Sequence, residues 1–223
     1  MTRSSQQLME FYKALRERFG PQQWWPADGP LEVCLGAILT QNTNWRNVEK
    51  ALANLRAVDA LDLAALAAMP LEQLAELIRP AGYYNIKARR LKNFIAAVWE
   101  DSGEDLTAFL EGPADSLRQR LLAIKGIGRE TADSILLYAA RRCTFVIDAY
   151  TCRVLLRHGL IGPEDDYESV KSLLESSLPE DVDLFNEFHA LFVAVGKRHC
   201  QRIARCAGCP LEPFEHDPDA GMA

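Results

Sequence analysis

The stretch LLAIKGIGRETADSILL, from Leu121 to Leu137, places Gly126-Ile127-Gly128 between two apolar segments with helical spacing. Two helices joined by so short a turn must fold back on each other as a hairpin and cover each other's apolar sides. The glycines permit positive φ and let a ligand approach the main chain. The free amides at the start of the second helix face whatever lies in front of it and favour an anion there. A Gly-x-Gly turn on its own is equally a plain helix–helix connection.

The rest of the chain reads as helix almost throughout. Leu8, Phe11, Tyr12, Leu15 and Phe19 recur as one stripe, which Gly20 and Pro21 end. PLEVCLGAILT is apolar on every side, so it predicts a buried helix with Pro30 in its first turn. Thr43 or Asn44 can cap a helix whose inner face is Val48, Ala51, Leu52 and Leu55. Pro70 opens a short helix ending near Arg79-Pro80. YNIKARRLKNFIAAVWE carries Leu91, Phe94, Ile95 and Val98 on one side and Lys87, Arg89, Arg90 and Lys92 on the other. CTFVID is extended but too isolated for a sheet. Two further helices are expected near 166–177 and 183–195, followed after Cys200 by an irregular tail. The class is all-α.

At 223 residues the chain suffices for one large domain or two small ones. Its net charge of −6 excludes a polybasic protein but not a local basic face that meets DNA. No apolar run reaches the ~20 residues of a membrane span, and MTRSSQQLMEFYKAL lacks a signal peptide's apolar core, so a cytoplasmic protein is expected. Six cysteines in a reducing compartment read as metal ligands or buried thiols.

LLAIKGIGRETAD followed by VIDAYTCRVLLR, LGAILTQNTNW, AGYYNIKARRL and the tail CQRIARCAGCP occur in an order that resembles the helix-hairpin-helix DNA glycosylase superfamily, the endonuclease III-like group. The resemblance spans roughly Leu31 to Pro210. It implies two helical lobes, 31–140 with the hairpin and 1–30 plus 141–223 with the cysteine-containing tail, with the active-site cleft between them. It also implies a monomer acting on double-stranded DNA that contains a damaged base.

Asp148 matches the family's catalytic aspartate. Cleaving a glycosidic bond builds positive charge on the sugar, which a nearby carboxylate stabilises while orienting or deprotonating water. Asp148 also suits the N-cap of the helix that begins near Ala149. Where bifunctional members carry a Schiff-base lysine, this chain has Glu130, and a carboxylate forms no imine. The resemblance therefore implies base removal without strand cleavage. Glu130 is equally a base contact or a first-turn acid complementing the helix dipole. Lys125 precedes the turn, does not match the nucleophile, and reads as a phosphate contact or a solvated charge.

Trp24-Trp25-Pro26 resembles the bacterial 3-methyladenine glycosylase branch, whose pocket aromatics carry over onto Trp24, Trp25 and Trp45. An alkylated purine is cationic and suits an electron-rich ring face; the plain reading of adjacent tryptophans is a packing corner. By resemblance Gln41 fills the gap left by a flipped base, with Asn42 beside it, although both amides can simply cap the loop. Lys87 to Lys92 form the best phosphate patch by composition, against the plainer reading of a solvated face. His189, among Phe185, Phe188 and Phe192, reads as a core histidine, and Cys34, Cys143 and Cys152 as core thiols. Mismatched or oxidised bases, or a non-catalytic hairpin module, are the alternative functions.

Cys200, Cys206 and Cys209 have the spacing C-x5-C-x2-C. The family's cluster loop has four cysteines, C-x6-C-x2-C-x5-C. Here the first gap is one residue short and Glu215 stands at the fourth position. A [4Fe–4S] cluster, a zinc Cys3His site including His216, and no metal all stay open, with the fourth ligand unknown.

Overall fold

The computed structural model describes residues 2–221. Among them there is no strand, and the architecture is all-α as expected. The helices are α1 (Arg3–Phe19), α2 (Pro30–Leu39), α3 (Trp45–Arg56), α4 (Leu63–Ala68), α5 (Leu71–Leu77), α6 (Tyr84–Ser102), α7 (Leu106–Leu110), α8 (Ala114–Ala123), α9 (Arg129–Ser134), α10 (Ala149–Arg157), α11 (Tyr167–Ser177) and α12 (Val182–Arg198). Arg79–Ala81 is a 3₁₀ turn, and α9 runs into a π-helical turn, Ile135–Ala139.

The chain divides into two compact units, Trp25–Arg142 and the remainder on either side of it. In the first, α2 is buried from Glu32 to Leu39, because its sequence offers no polar face to water. Asn44 caps α3 by accepting from the Asn47 amide at 3.2 Å, and Val48, Ala51, Leu52 and Leu55 turn inward. Pro70 stands one residue before α5 rather than inside it.

The second unit packs α1 and α10 against α12. Leu8, Phe11 and Leu15 are fully buried, as are Phe188 and Phe192, whose rings stack at 4.4 Å. CTFVID is extended. Its Phe145 is buried, and the Phe145 amide donates to Glu175 of α11 at 2.8 Å. Cys143 in this segment and Cys152 on α10 are half-buried rather than core thiols as expected, whereas Cys34 is buried.

Candidate active site

Ile124 to Ile127 form a turn closed by an Ile127 amide–Ile124 carbonyl bond of 3.0 Å. Gly126 occupies its third position at φ 102°, which demands glycine. A Cβ at Gly126 would also lie 2.4 Å from the Arg90 Cγ. Gly128 does not use the positive φ that glycine permits. Its φ of −98° and ψ of 180° suit any residue, and its missing side chain leaves open space where α9 begins. Arg118 grips the buried Asp133 with two bonds, at 2.7 and 3.1 Å, and so locks α8 to α9.

Gln41 is fastened to this hairpin. Its amide nitrogen donates to the Gly126 carbonyl at 3.1 Å and to the Thr131 hydroxyl at 2.9 Å, while Arg90 donates to its amide oxygen. Asn42 beside it is exposed at φ 54°, a left-handed conformation that asparagine tolerates. Lys125 and Glu130 are exposed on either side of the turn, Glu130 in the first turn of α9.

Lys87 is not a phosphate contact. It is 1% exposed, and its ammonium donates to the carbonyls of Leu39 at 2.8 Å and Ala81 at 2.7 Å. Burial, reinforced by the Arg90 charge, lowers its pKa to about 8. Lys87 thus ties the end of α2 to the turn before α6, holding the loop that carries Gln41. Lys92 is likewise turned to main chain, donating to the carbonyls of Leu66 at 2.6 Å and Ala67 at 2.9 Å. Of the basic residues that line the groove beside Gly126, Arg89 and Lys125 are exposed and Arg90 is half-buried.

Trp25 and Trp45 come together within the same unit. Their rings meet edge to face at 5.2 Å, and Trp25 also packs against Tyr138 at 5.1 Å. Both are half-buried. Gly36 on α2 admits them, since a Cβ there would stand 3.1 Å from the Trp25 indole nitrogen and 3.3 Å from Trp45. Trp24, also half-buried, belongs to the other unit.

Asp148 is the N-cap of α10, accepting from the Thr151 amide at 2.7 Å. Its other oxygen lies 3.6 Å from Nε2 of His189, a buried side chain of α12. That separation is long for a hydrogen bond but close enough for electrostatics. Burial opposes the charge on Asp148. The His189 ring and the Thr151 amide outweigh it and hold the carboxyl below its ordinary range. His189 is therefore a buried core histidine, as expected, and its partner is the Asp148 carboxylate. Its place on an otherwise aromatic face was the available signal, because a buried polar group needs a partner.

In the C-terminal loop, Cys200, Cys206, Cys209 and His216 line one recess together with His158, His199 and Arg157. Among the described residues no three donors converge closely enough to hold a single ion. A polynuclear cluster binds each thiolate to a separate iron and so accepts more widely spaced sulfurs. The donor set is rich in sulfur, is half-buried and has Arg157 donating to the Cys200 sulfur at 3.2 Å. The donor chemistry, three thiols with Arg157 beside them, suits an anionic iron–sulfur group.

The family model "HhH-GPD superfamily base excision DNA repair protein" matches residues 35–180. The Methanocaldococcus jannaschii protein "Putative DNA repair glycosylase MJ1434" is 45% identical over 93% of this chain and 94% of its own length. A crystal structure of the H. pylori 3-methyladenine DNA glycosylase MagIII bound to 1,N6-ethenoadenine is 30% identical, with a TM-score of 0.75 over 87% of this chain and 97% of that one. A non-covalent endonuclease III–DNA complex shares the fold at a TM-score of 0.80 and 24% identity, covering 96% of this chain and 95% of that one. The chain belongs to the HhH-GPD superfamily of base excision DNA repair proteins and is a DNA glycosylase of that class.

Proposed function

We propose that the chain is a monofunctional glycosylase that hydrolyses the bond between deoxyribose and an alkylated purine, 3-methyladenine or a close relative, in double-stranded DNA. The observation that carries this reading is Glu130, exposed in the first turn after the hairpin where bifunctional members would carry the lysine nucleophile. With no amine there, water is the nucleophile and Asp148 the carboxylate that orients it and stabilises the sugar cation. Arg89 and Lys125 take phosphates beside the hairpin, and Gln41 leaves its hairpin contacts to enter the gap of the flipped base. Sodium borohydride is expected to trap no protein–DNA adduct while base is released and the strand stays intact. A borohydride-dependent adduct on a denaturing gel would overturn the monofunctional reading.

The preference for a cationic base rests on Trp25 and Trp45, a half-buried aromatic pair, and on similarity to a glycosylase that takes 3-methyladenine. A methylated purine is positively charged and already a good leaving group, so ring faces assist it more than an acid would. Trp45→Ala is expected to weaken single-turnover excision by about 1–3 kcal/mol of lost stacking, and more for a charged than for a neutral lesion. Equal losses on both lesions, together with a large fall in melting temperature, would make the pair a packing corner.

The loop is read as a [4Fe–4S] site held by Cys200, Cys206 and Cys209. When bound, the cluster supplies a rigid anionic cross-link for a segment that has no helix of its own. Hydrolysis at the sugar uses only Asp148 and water.

A further inference from the structure

We infer that His216 is the fourth ligand of the cluster in this loop, through Nε2, and that Arg157 is the buried cation that answers the cluster's charge. The inference rests on the cluster reading above and concerns which residues of this chain complete it.

His216 lines the same recess as the three cysteines. Its Nδ1 lies 2.7 Å from the Phe214 carbonyl. A carbonyl only accepts, so Nδ1 carries the proton and Nε2 keeps the lone pair. This is the arrangement that orients a metal-ligating imidazole. Glu215 and Glu212 are the competing donors nearby. Both are exposed, and the Glu212 carboxylate accepts from the Gly208 amide at 2.9 Å. Carboxylates are also harder ligands than an iron–sulfur centre prefers. His158 and His199 likewise have Nδ1 on carbonyls, those of Glu215 and Arg205, and all three rings have ring neighbours: Phe11 at 4.7 Å from His158, Phe19 at 6.3 Å from His199, and His158 at 5.3 Å from His216. His216 alone of the three follows Cys209, so it closes the loop after the last thiolate.

Arg157 supplies the second observation. It is 3% exposed, and it donates to the Cys200 sulfur and to the carbonyls of Gln201 at 2.8 Å and Arg202 at 2.9 Å. Its Nε is buried with no hydrogen-bond partner among the described residues. The main-chain carbonyls take protons of Nη1 and Nη2 but do not balance the guanidinium charge, and a buried cation needs an anion. A 2+ core with three thiolates and a neutral imidazole carries one net negative charge, which matches one guanidinium.

The test uses the full chain, anaerobically reconstituted and labelled with 15N-histidine. The expected protein binds about four irons. Its reduced cluster, generated chemically or by radiolysis at cryogenic temperature, shows in pulsed electron paramagnetic resonance a nitrogen coupling that changes on 15N labelling. His216→Cys is expected to keep the irons, lose that coupling and lower the reduction potential, because imidazole in place of thiolate raises it. His158→Gln and His199→Gln are expected to keep the coupling. Four irons without a histidine coupling would overturn the assignment of His216 and leave the cluster standing. Loss of the coupling in His158→Gln or His199→Gln with full iron would give the role to that residue instead. A colourless, iron-free, folded protein would overturn the cluster and the assignment together.

Discussion

Asp148→Asn is expected to slow single-turnover base release by ~10²-fold or more, about 2.7 kcal/mol, with a smaller loss of folding stability near neutral pH. The two readouts separate the two roles of this side chain. As the N-cap of α10 it holds the Thr151 amide at 2.7 Å, and asparagine caps about as well as aspartate. Asparagine cannot, however, place a negative charge against a developing sugar cation. The carboxyl is held below its ordinary range, so its ionisation stabilises the folded protein above its unfolded pKa of about 3.9, and this contribution is lost as the pH falls through the lower folded value. The activity gap between wild type and variant is therefore expected to persist at every pH down to about 4. An equal fall in activity and stability, or little fall in either, would leave Asp148 as a cap alone.

Much of the fold could be read from residue spacing, because each helix must bury one face. Leu8, Phe11 and Leu15 are buried as their stripe requires, and Val48, Ala51, Leu52 and Leu55 likewise. The short helices Leu63–Ala68 and Leu106–Leu110 were not legible, since fewer than two turns show no period. The site divides in the same way. Gly126 and Asp148 announce themselves locally, one by a turn that needs positive φ and the other by a cap before a helix. Lys87 does not. Among Arg89, Arg90 and Lys92 it looks like one more surface charge, and only the carbonyls of Leu39 and Ala81 explain why it is buried. The approach of His189 to Asp148 spans 41 positions (189 minus 148), and that of Trp25 to Trp45 depends on a glycine in a third segment. Such contacts come from tertiary packing and leave no mark on local spacing.

Asp133→Ala is expected to lower the unfolding free energy by about 3–5 kcal/mol, the cost of removing one member of a mostly buried ion pair. Asp133 is fully buried, and the Arg118 side chain is 15% exposed. Arg118 reaches from α8, before the hairpin, to Asp133 in α9, after it. The pair therefore fixes how the two helices meet, and with them the direction of the turn at Gly126 and of the amides after Gly128. Replacing both partners together, Arg118→Met with Asp133→Leu, is expected to recover much of the stability, because a packed apolar pair avoids the desolvation of both charges. DNA affinity separates a structural staple from an orienting one. If the pair only holds the helices together, the double variant should bind abasic-site DNA as the wild type does. If the two-pronged geometry also aims the hairpin, the double variant should be stable yet bind more weakly, because apolar side chains do not impose the planar register of a guanidinium on a carboxylate. Denaturant unfolding and an abasic-site binding titration on the same three proteins decide it. A single Asp133→Ala variant that unfolds within about 1 kcal/mol of wild type would remove the pair from any part in holding the hairpin.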